Sequence, residues 1–310
     1  MAAVRNQSFL PSAPLTELKK LLPDAVFSYD PGAFPSEAAA LARRSDLAIV
    51  FAVRHESEEF DTPDMSLPFG QDALIATVGA ANPNTVVVLE TGNPIAMPWH
   101  GKVKAIVEAW FPGEAGGQAI AEILTGKVNP SGRLPMTFPV DAAQTPRPEL
   151  PGLGTPYGAS VTARYHEGAE VGYRWYAKTG AKPQYAFGHG LSYTKFAYRD
   201  FTVSGGEAPT ASVTVQNVGS RSGADVPQIY LTEAAGEKRV RLLGFERVAL
   251  RPGEARRITL TIDPRLLARF DAKAGRWRLS AGTYRLAVGK NAGEVASAAD
   301  MTLAPRLMGR

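Results

Sequence analysis

The chain has 310 residues, a formal net charge of +4 and no cysteine. This length accommodates two ordinary domains or one large one. The lack of cysteine excludes disulfides, thiolate metal ligands and a thiol nucleophile. The weak charge, without a basic stripe interleaved with stacking aromatics, argues against a nucleic-acid partner. No apolar run approaches the ~20 residues that cross a bilayer, so we expect no membrane partner either.

The first part of the chain alternates helices with apolar strands, which predicts a mostly parallel sheet with helices on both faces. The clearest strand is 47–53, an uninterrupted apolar run of the kind that is buried on both faces of a sheet. We therefore place an α/β domain over residues 1–145. In chain order the pattern predicts a helix at 16–22, a strand at 25–29, a helix at 36–44, a strand at 47–53, a helix at 71–81, strands at 85–89 and 105–111, a helix at 116–124 and a strand at 133–138.

Beyond the α/β region the composition changes twice. Residues 146–195 are rich in proline, glycine and aromatics and follow no sustained period, which favours a segment that wraps the first domain and links it to the next. From residue 196 onward, short stretches alternate with period two between turn signals, as in an immunoglobulin-like β-sandwich. We therefore predict an all-β domain over 196–310. Its clearest strands are 211–217, 228–231, 257–262 and 284–289.

An acidic loop directly follows the buried strand at 47–53. It contains Glu56, Glu58, Glu59 and Asp61 within six residues. Because ligands bind at the carboxyl ends of the strands in open α/β sheets, this loop is the leading candidate site. Repulsion among the acids is expected to raise the pKa of at least one, and a carboxyl that stays protonated near neutral pH suits a general acid. A solvated loop without catalytic role is the alternative interpretation.

Other chemistry-bearing residues give weaker signals. None of the histidines pairs with another at metal-ligand spacing, so we predict neither a metal nor a cofactor. The glycine-rich turn at 110–117 lacks the spacing of a nucleotide-binding loop, which favours a structural turn. Tyr173, Trp175 and Tyr176 are candidates for stacking on a sugar or, alternatively, for core packing.

Several segments, in their order along the chain, resemble the C-terminal portion of family 3 glycoside hydrolases of the β-glucosidase type. Residues 56–61, Glu-Ser-Glu-Glu-Phe-Asp, are similar to the E-x-E-G-x-D loop of that family, and Met-Ser-Leu-Pro at 65–68 matches its trailing leucine and proline. The resemblance continues past residue 195 into a fibronectin type III-like domain and covers nearly the whole chain. Further matching segments are 90–94, 110–113, 126–135, 138–139, 165–168, 171–176, 187–194, 217–219, 243–245 and 250–254.

The resemblance implies part of a retaining β-glycosidase that hydrolyses terminal β-linked glucose, with a β-linked gluco-oligosaccharide or glucoside as substrate. In this family the nucleophile is an Asp in an N-terminal (β/α)8 barrel. The general acid/base is a Glu in the loop of the α/β sandwich that follows the barrel, and the resemblance assigns this role to Glu58. Such a barrel needs about 250 residues of its own, so we expect a partner domain or subunit to supply it. The α/β/α sandwich itself is expected to be N-terminally truncated and incomplete.

Two departures from the family pattern bear on the site. Glu59 stands where the family often has glycine, and Thr62 stands where it often has arginine. Both Glu58 and Glu56 therefore stay open as the proton donor. The alternatives to a glycosidase part are a non-catalytic carbohydrate-binding or interaction module and an inactive remnant. The start of the chain does not resemble a secretory signal, although relatives of this type are often periplasmic or secreted.

Overall fold

A computed structural model describes residues 12–58, 61–156 and 158–309 of the chain. The described residues form two compact units. The first falls within Met1–Val128, Pro139–Ala143 and Arg147–Thr162, and the second within Asn129–Phe138, Gln144–Pro146 and Ala163–Arg310. The first unit holds a parallel sheet with helices and the second is mainly antiparallel β-structure. The predicted fold class, α/β followed by an all-β sandwich, is confirmed.

The first unit is built on a parallel sheet with the strand order β1-β2-β3. These strands are β1 (Ala48–Val53), β2 (Thr85–Glu90) and β3 (Ala105–Glu108). Val87, at the centre of β2, pairs with Val50 of β1 and Ile106 of β3. Its side chain is fully buried, as expected for an apolar strand that is covered on both faces. Because the strands are parallel, all three end at the same edge of the sheet.

Four helices accompany this sheet in the described residues. They are α1 (Pro14–Leu21), α2 (Pro35–Arg43), α3 (Gln71–Ala81) and α4 (Gly116–Leu124). Both α1 and α2 begin with a proline in the first turn, where its missing N–H costs nothing. The first helix packs against α4, and α2 packs against α3. Short 3-10 turns lie at His100–Lys102 and Ala142–Gln144.

Two of the predicted strands are wrong. Residues 25–29 form no strand, and Val26 is 96% exposed. The β-prone residues of this segment pair with no strand of the described part of the chain, so propensity alone does not make a strand. Residues 133–138 form only an isolated antiparallel bridge between Phe138 and Tyr185. Pro135 lies inside this segment and cannot donate to a sheet ladder, which explains the failure.

The predicted strand at 105–111 is shorter than expected, because β3 ends at Glu108. Trp110 adopts a φ of 55°. This left-handed conformation is uncommon for a bulky residue and is incompatible with a continuing strand. The chain therefore turns away at the edge of the sheet, and β3 ends three residues before the end of the predicted strand.

The second unit is an antiparallel β-structure around a continuous apolar core. Its sheets have the strand orders β14-β13-β7-β8, β10-β5-β4, β11-β12-β15 and β6-β9. Alternate residues of β5, among them Val213 and Val215, are fully buried, which is the predicted period of two. The strands are β4 (Phe196–Ser204), β5 (Thr210–Asn217), β6 (Gly223–Asp225), β7 (Gln228–Ala234), β8 (Glu237–Phe245), β9 (Val248–Leu250), β10 (Ala255–Thr261), β11 (Arg269–Asp271), β12 (Arg276–Leu279), β13 (Gly282–Asn291), β14 (Glu294–Leu303) and β15 (Arg306–Met308).

The second unit also contains the short helices α5 (Tyr173–Thr179) and α6 (Pro264–Leu267). The aromatic group considered for sugar stacking lies in α5. The ring centroid of Tyr173 is 4.9 Å from that of Phe187, and its hydroxyl accepts a 2.9 Å hydrogen bond from the backbone of Leu242. The Nε1 of Trp175 donates to a backbone carbonyl at 3.0 Å. These contacts use the rings for packing within the unit.

A buried ion pair connects β6 to the segment before Phe138. The Nη2 of Arg133 lies 2.6 Å from Oδ1 of Asp225, and the hydroxyl of Tyr198 donates to Oδ2 of Asp225 at 2.7 Å. The Asp225 side chain is 5% exposed. Both of its oxygens are therefore engaged, as a buried carboxylate requires.

None of the helices in the described ranges is long and apolar enough to cross a membrane.

Candidate active site

The carboxyl ends of the parallel strands bring three loops together at one edge of the sheet. We call this group, residues 54–58, 90–93 and 108–111, the carboxyl edge. The backbone N–H of Arg54 donates to the carbonyl of Glu90 at 3.1 Å, which extends the β1–β2 pairing by one residue. The acidic loop thus starts beside the end of β2. This is the location at which open α/β sheets bind ligands.

Glu58 lies in the acidic loop, five residues after β1, and its side chain is exposed. Among the described residues, no hydrogen bond or ion pair engages its carboxylate. A general acid must have such freedom to reach a substrate oxygen. Glu59, which replaces the usual glycine of the family pattern, lies outside the described residues.

Glu56 is the opposite case, because its carboxylate is buried and fully engaged. Its Oε2 accepts the backbone N–H of Gly92 at 2.5 Å, and its Oε1 accepts the side-chain amide of Asn93 at 3.0 Å. The Nε of Arg54 lies 3.5 Å from Oε1. These three donors hold the carboxylate in one position. Their arrangement gives Glu56 the character of an anchor and leaves Glu58 as the solvent-facing acid of the pair.

Arg54 joins the two ends of the acidic loop. Its Nη1 donates to the carbonyl of Ser66 at 2.9 Å, and its Nη2 donates to the carbonyl of Asp64 at 2.5 Å. Gln71, in the first turn of α3, bonds both the N–H and the carbonyl of Val53 at 2.8 Å. Sequence analysis did not single out Arg54 or Gln71. The signal that could have pointed to Arg54 is its position directly after an apolar strand, because an arginine buried there needs hydrogen-bond acceptors.

Two further carboxyls at the carboxyl edge have perturbed acidity. Burial raises the pKa of Glu108, at the end of β3, to about 7, and the negative charge of Glu56 adds to this shift. The N–H of Trp110 and the hydroxyl of Thr91 donate to Glu108 at 3.1 and 3.3 Å and partly oppose it. Burial also raises the pKa of Glu90 at the end of β2. Sequence analysis did not predict these shifts.

The raised pKa of Glu108 predicts a specific dependence of stability on pH. Between its unfolded value near 4.5 and its folded value of about 7, the folded state holds a proton that the unfolded state has lost. The stabilisation from this proton is complete below pH 4.5 and is lost as pH rises through about 7. We expect the Glu108→Gln variant to lose this dependence. Relative to the parent, its free energy of unfolding should gain about 2 kcal/mol between pH 5.5 and 8.5.

Chemical denaturation of both proteins at the two pH values measures this difference. Glu122→Gln is the matched control. A hydrogen bond from Lys127 lowers the pKa of Glu122, so this carboxyl does not titrate between pH 5.5 and 8.5. Parallel stability curves for the parent and Glu108→Gln would contradict the prediction.

The other sequence candidates are the histidines and the glycine-rich turn at 110–117. In the described part of the chain, no group of three or more His, Asp or Glu residues is arranged to hold a metal ion. In the glycine-rich turn, the N–H of Gly117 donates to the hydroxyl of Ser12 at 3.0 Å. A Cβ at Gly117 would lie 2.3 Å from the carbonyl oxygen of Ser12. The glycine thus permits a close chain crossing, which agrees with a structural turn.

Two parts of the chain match known protein families. Residues 3–193 match the glycosyl hydrolase family 3 C-terminal domain, and residues 225–292 match the fibronectin type III-like domain. The chain belongs to glycosyl hydrolase family 3. The resemblance seen in the sequence motifs is therefore confirmed, including the family 3 sandwich domain and the fibronectin type III-like domain.

Family 3 relatives cover most of this chain, but the chain covers only part of them. It is 42% identical to β-glucosidase B of Emericella nidulans over 285 residues, which are 86% of this chain and 34% of that protein. It is 40% identical to thermostable β-glucosidase B of Acetivibrio thermocellus over 84% of this chain and 35% of that protein. The chain thus spans about a third of the length of these relatives and corresponds to their C-terminal part.

Solved family 3 structures have the same fold. A β-glucosidase from Bifidobacterium adolescentis superposes with a TM-score of 0.84 at 32% identity, over 96% of this chain and 46% of that chain. A β-glucosidase from Streptomyces venezuelae, solved in complex with D-glucose, superposes with a TM-score of 0.78 at 37% identity, over 87% of this chain and 35% of that chain.

Proposed function

We propose that this chain is the C-terminal part of a retaining β-glucosidase and that Glu58 is its general acid/base. One observation carries the assignment: Glu58 is exposed at the carboxyl edge, whereas the neighbouring Glu56 is buried and engaged by three donors. A proton donor must be accessible to the substrate, and an anchored carboxylate is not. The β-glucosidase names of the relatives support terminal β-linked glucose as the substrate class.

The proposed chemistry needs a second carboxylate on the other side of the glycosidic bond. Glu58, protonated, donates its proton to the leaving oxygen while an Asp nucleophile attacks the anomeric carbon and forms a glycosyl-enzyme. The Glu58 carboxylate then takes a proton from water, and this water displaces the Asp and restores the acid. In a retaining site the two carboxyls lie about 5–5.5 Å apart, so Glu58 must project towards the domain that holds the nucleophile.

We assign the nucleophile to a (β/α)8 barrel that corresponds to the remaining two thirds of the relatives. In the described residues the parallel sheet has the strand order β1-β2-β3, whereas a barrel needs about 250 residues of its own. Phe69, 94% exposed, and Phe111, 57% exposed, follow the acidic loop and β3. Large exposed apolar side chains near a site are consistent with a surface that another domain covers.

The proposal predicts that the chain needs its barrel for turnover. We would join the chain to the part of Emericella nidulans β-glucosidase B that precedes the matched 285 residues, and we call this protein the hybrid enzyme. We expect the hybrid enzyme to hydrolyse 4-nitrophenyl β-glucoside. The chain alone and the preceding part alone should both give no turnover, because each supplies one of the two required carboxyls.

Size-exclusion chromatography and circular dichroism establish that all three proteins are folded before the assay. Turnover by the chain alone would place a nucleophile within these 310 residues and refute the assignment of the barrel. A folded but inactive hybrid enzyme that binds glucose would favour a carbohydrate-binding module instead.

A further inference from the structure

We propose that Arg54 and Glu56 are positioning residues that direct Glu58 towards the substrate. This inference rests on the proposed function of Glu58 and adds the device that holds it in place. Both side chains are buried, at 7% exposure for Arg54 and 8% for Glu56. A buried ion pair is weak evidence for stability, since its desolvation opposes its attraction. Its better-supported use is to specify one arrangement of the chain.

Glu56 fixes the first part of the acidic loop, directly after β1, to the neighbouring loop after β2. Its two oxygens accept the N–H of Gly92 and the amide of Asn93, at 2.5 and 3.0 Å. Hydrogen bonds from two directions restrict both the position and the rotation of the carboxylate. Only Ser57 separates Glu56 from Glu58, so only a few backbone dihedrals remain between the anchor and the acid.

Arg54 fixes the last part of the same loop, at Asp64 and Ser66. Its guanidinium donates to the carbonyls of Asp64 and Ser66, at 2.5 and 2.9 Å, and its Nε faces Glu56. The planar guanidinium holds several acceptors in one fixed geometry, which a lysine could not do. The loop that carries Glu58 is thus tied at both of its ends to one side chain.

Gly92 shows that the anchor depends on close approach. A Cβ at this position would lie 2.5 Å from Oε2 of Glu56 and 3.0 Å from the ring of Phe111. A contact this short forces the carboxylate or the backbone to move. Gly92→Ala is therefore a second route to the same displacement, and it leaves both Arg54 and Glu56 chemically intact.

The decisive test compares leaving groups in the hybrid enzyme with Glu56→Gln. For methyl or 4-nitrophenyl β-glucoside, kcat/KM should fall about 10- to 100-fold, because a proton donor that is displaced by about 1 Å loses this much. For 2,4-dinitrophenyl β-glucoside, whose leaving group needs little protonation, kcat/KM should fall less than about threefold. Gly92→Ala should show the same split. Glu122→Gln, a control of the same kind on α4 whose carboxylate is paired with Lys127, should leave both values unchanged.

The outcomes separate this inference from the proposed function. Equal losses on both substrates would mean a purely structural role and would overturn the inference. An unaffected Glu56→Gln enzyme beside an inactive Glu58→Ala enzyme would overturn it while leaving Glu58 in place. Hydrogen exchange of the full chain provides a second measurement that does not need the hybrid. We expect faster exchange in Glu56→Gln at 54–66 with β2 and β3 unchanged, and unchanged exchange at 54–66 would contradict the inference.

Discussion

Replacement of Glu58 by alanine is expected to lower kcat/KM of the hybrid enzyme for 4-nitrophenyl β-glucoside by about 10²- to 10⁴-fold. General acid/base catalysis by a positioned carboxyl contributes this range. Because the side chain is exposed and no hydrogen bond or ion pair among the described residues engages its carboxylate, its removal should not alter the stability of the fold. A large loss of rate with an unchanged melting temperature would identify a chemical role.

The control for Glu58→Ala is Glu122→Gln, which removes a carboxylate far along the chain from the acidic loop. It should leave the rate within about twofold of the parent, because the carboxylate of Glu122 is engaged by Lys127 and Gln118 and not at the carboxyl edge. Equal rates for Glu58→Ala and the parent would remove Glu58 from the mechanism. In that case the acid/base would have to be Glu56, the other candidate of the acidic loop, or a group elsewhere in the loop or in the barrel.

Replacement of Asp225 by alanine is expected to destabilise the second unit by about 3–5 kcal/mol. This is the usual effect of removing one partner from a buried pair, because it leaves the other charge uncompensated. Arg133 is 12% exposed and has its 2.6 Å contact with Asp225. The hydroxyl of Tyr198 would lose its acceptor in the same variant. Chemical denaturation followed by tyrosine and tryptophan fluorescence measures the change.

Tyr198→Phe is the matched control for the ion pair, because it removes one hydrogen bond to the carboxylate but leaves both charges. We expect a smaller loss of about 1.5–3 kcal/mol, the range for a hydrogen bond to a charged group. If Asp225→Ala costs no more than Tyr198→Phe, the Arg133–Asp225 contact does not stabilise the unit as argued.

The sequence predicted best where one local pattern dominates. The run at 47–53 is apolar without interruption and became β1, and the helix predicted at 71–81 has the same bounds as α3. The prediction failed where strand formation depends on pairing with residues distant in sequence. Residues 25–29 have strand-forming side chains but pair with no described strand, and 133–138 is interrupted by Pro135. The helix α5 was missed because its seven residues are too few to show a period.

The candidate site was only partly predictable, for a similar reason. The family resemblance pointed to Glu58, but the choice between Glu58 and Glu56 depends on burial, and burial depends on Gly92 and Asn93 some 36 residues away. The acidity of Glu108 likewise comes from packing at the carboxyl edge rather than from its sequence neighbours. Long-range contacts of this kind leave no local pattern in the chain.

The most direct test of Glu58 as the acid/base is rescue of the Glu58→Ala hybrid enzyme by azide, with 2,4-dinitrophenyl β-glucoside as substrate. This substrate forms the glycosyl-enzyme without an acid, and azide can then attack it without a general base. We predict faster turnover with azide and a β-glucosyl azide product, identified by proton NMR. Glucose as the only product, at a rate independent of azide, would contradict the assignment of Glu58.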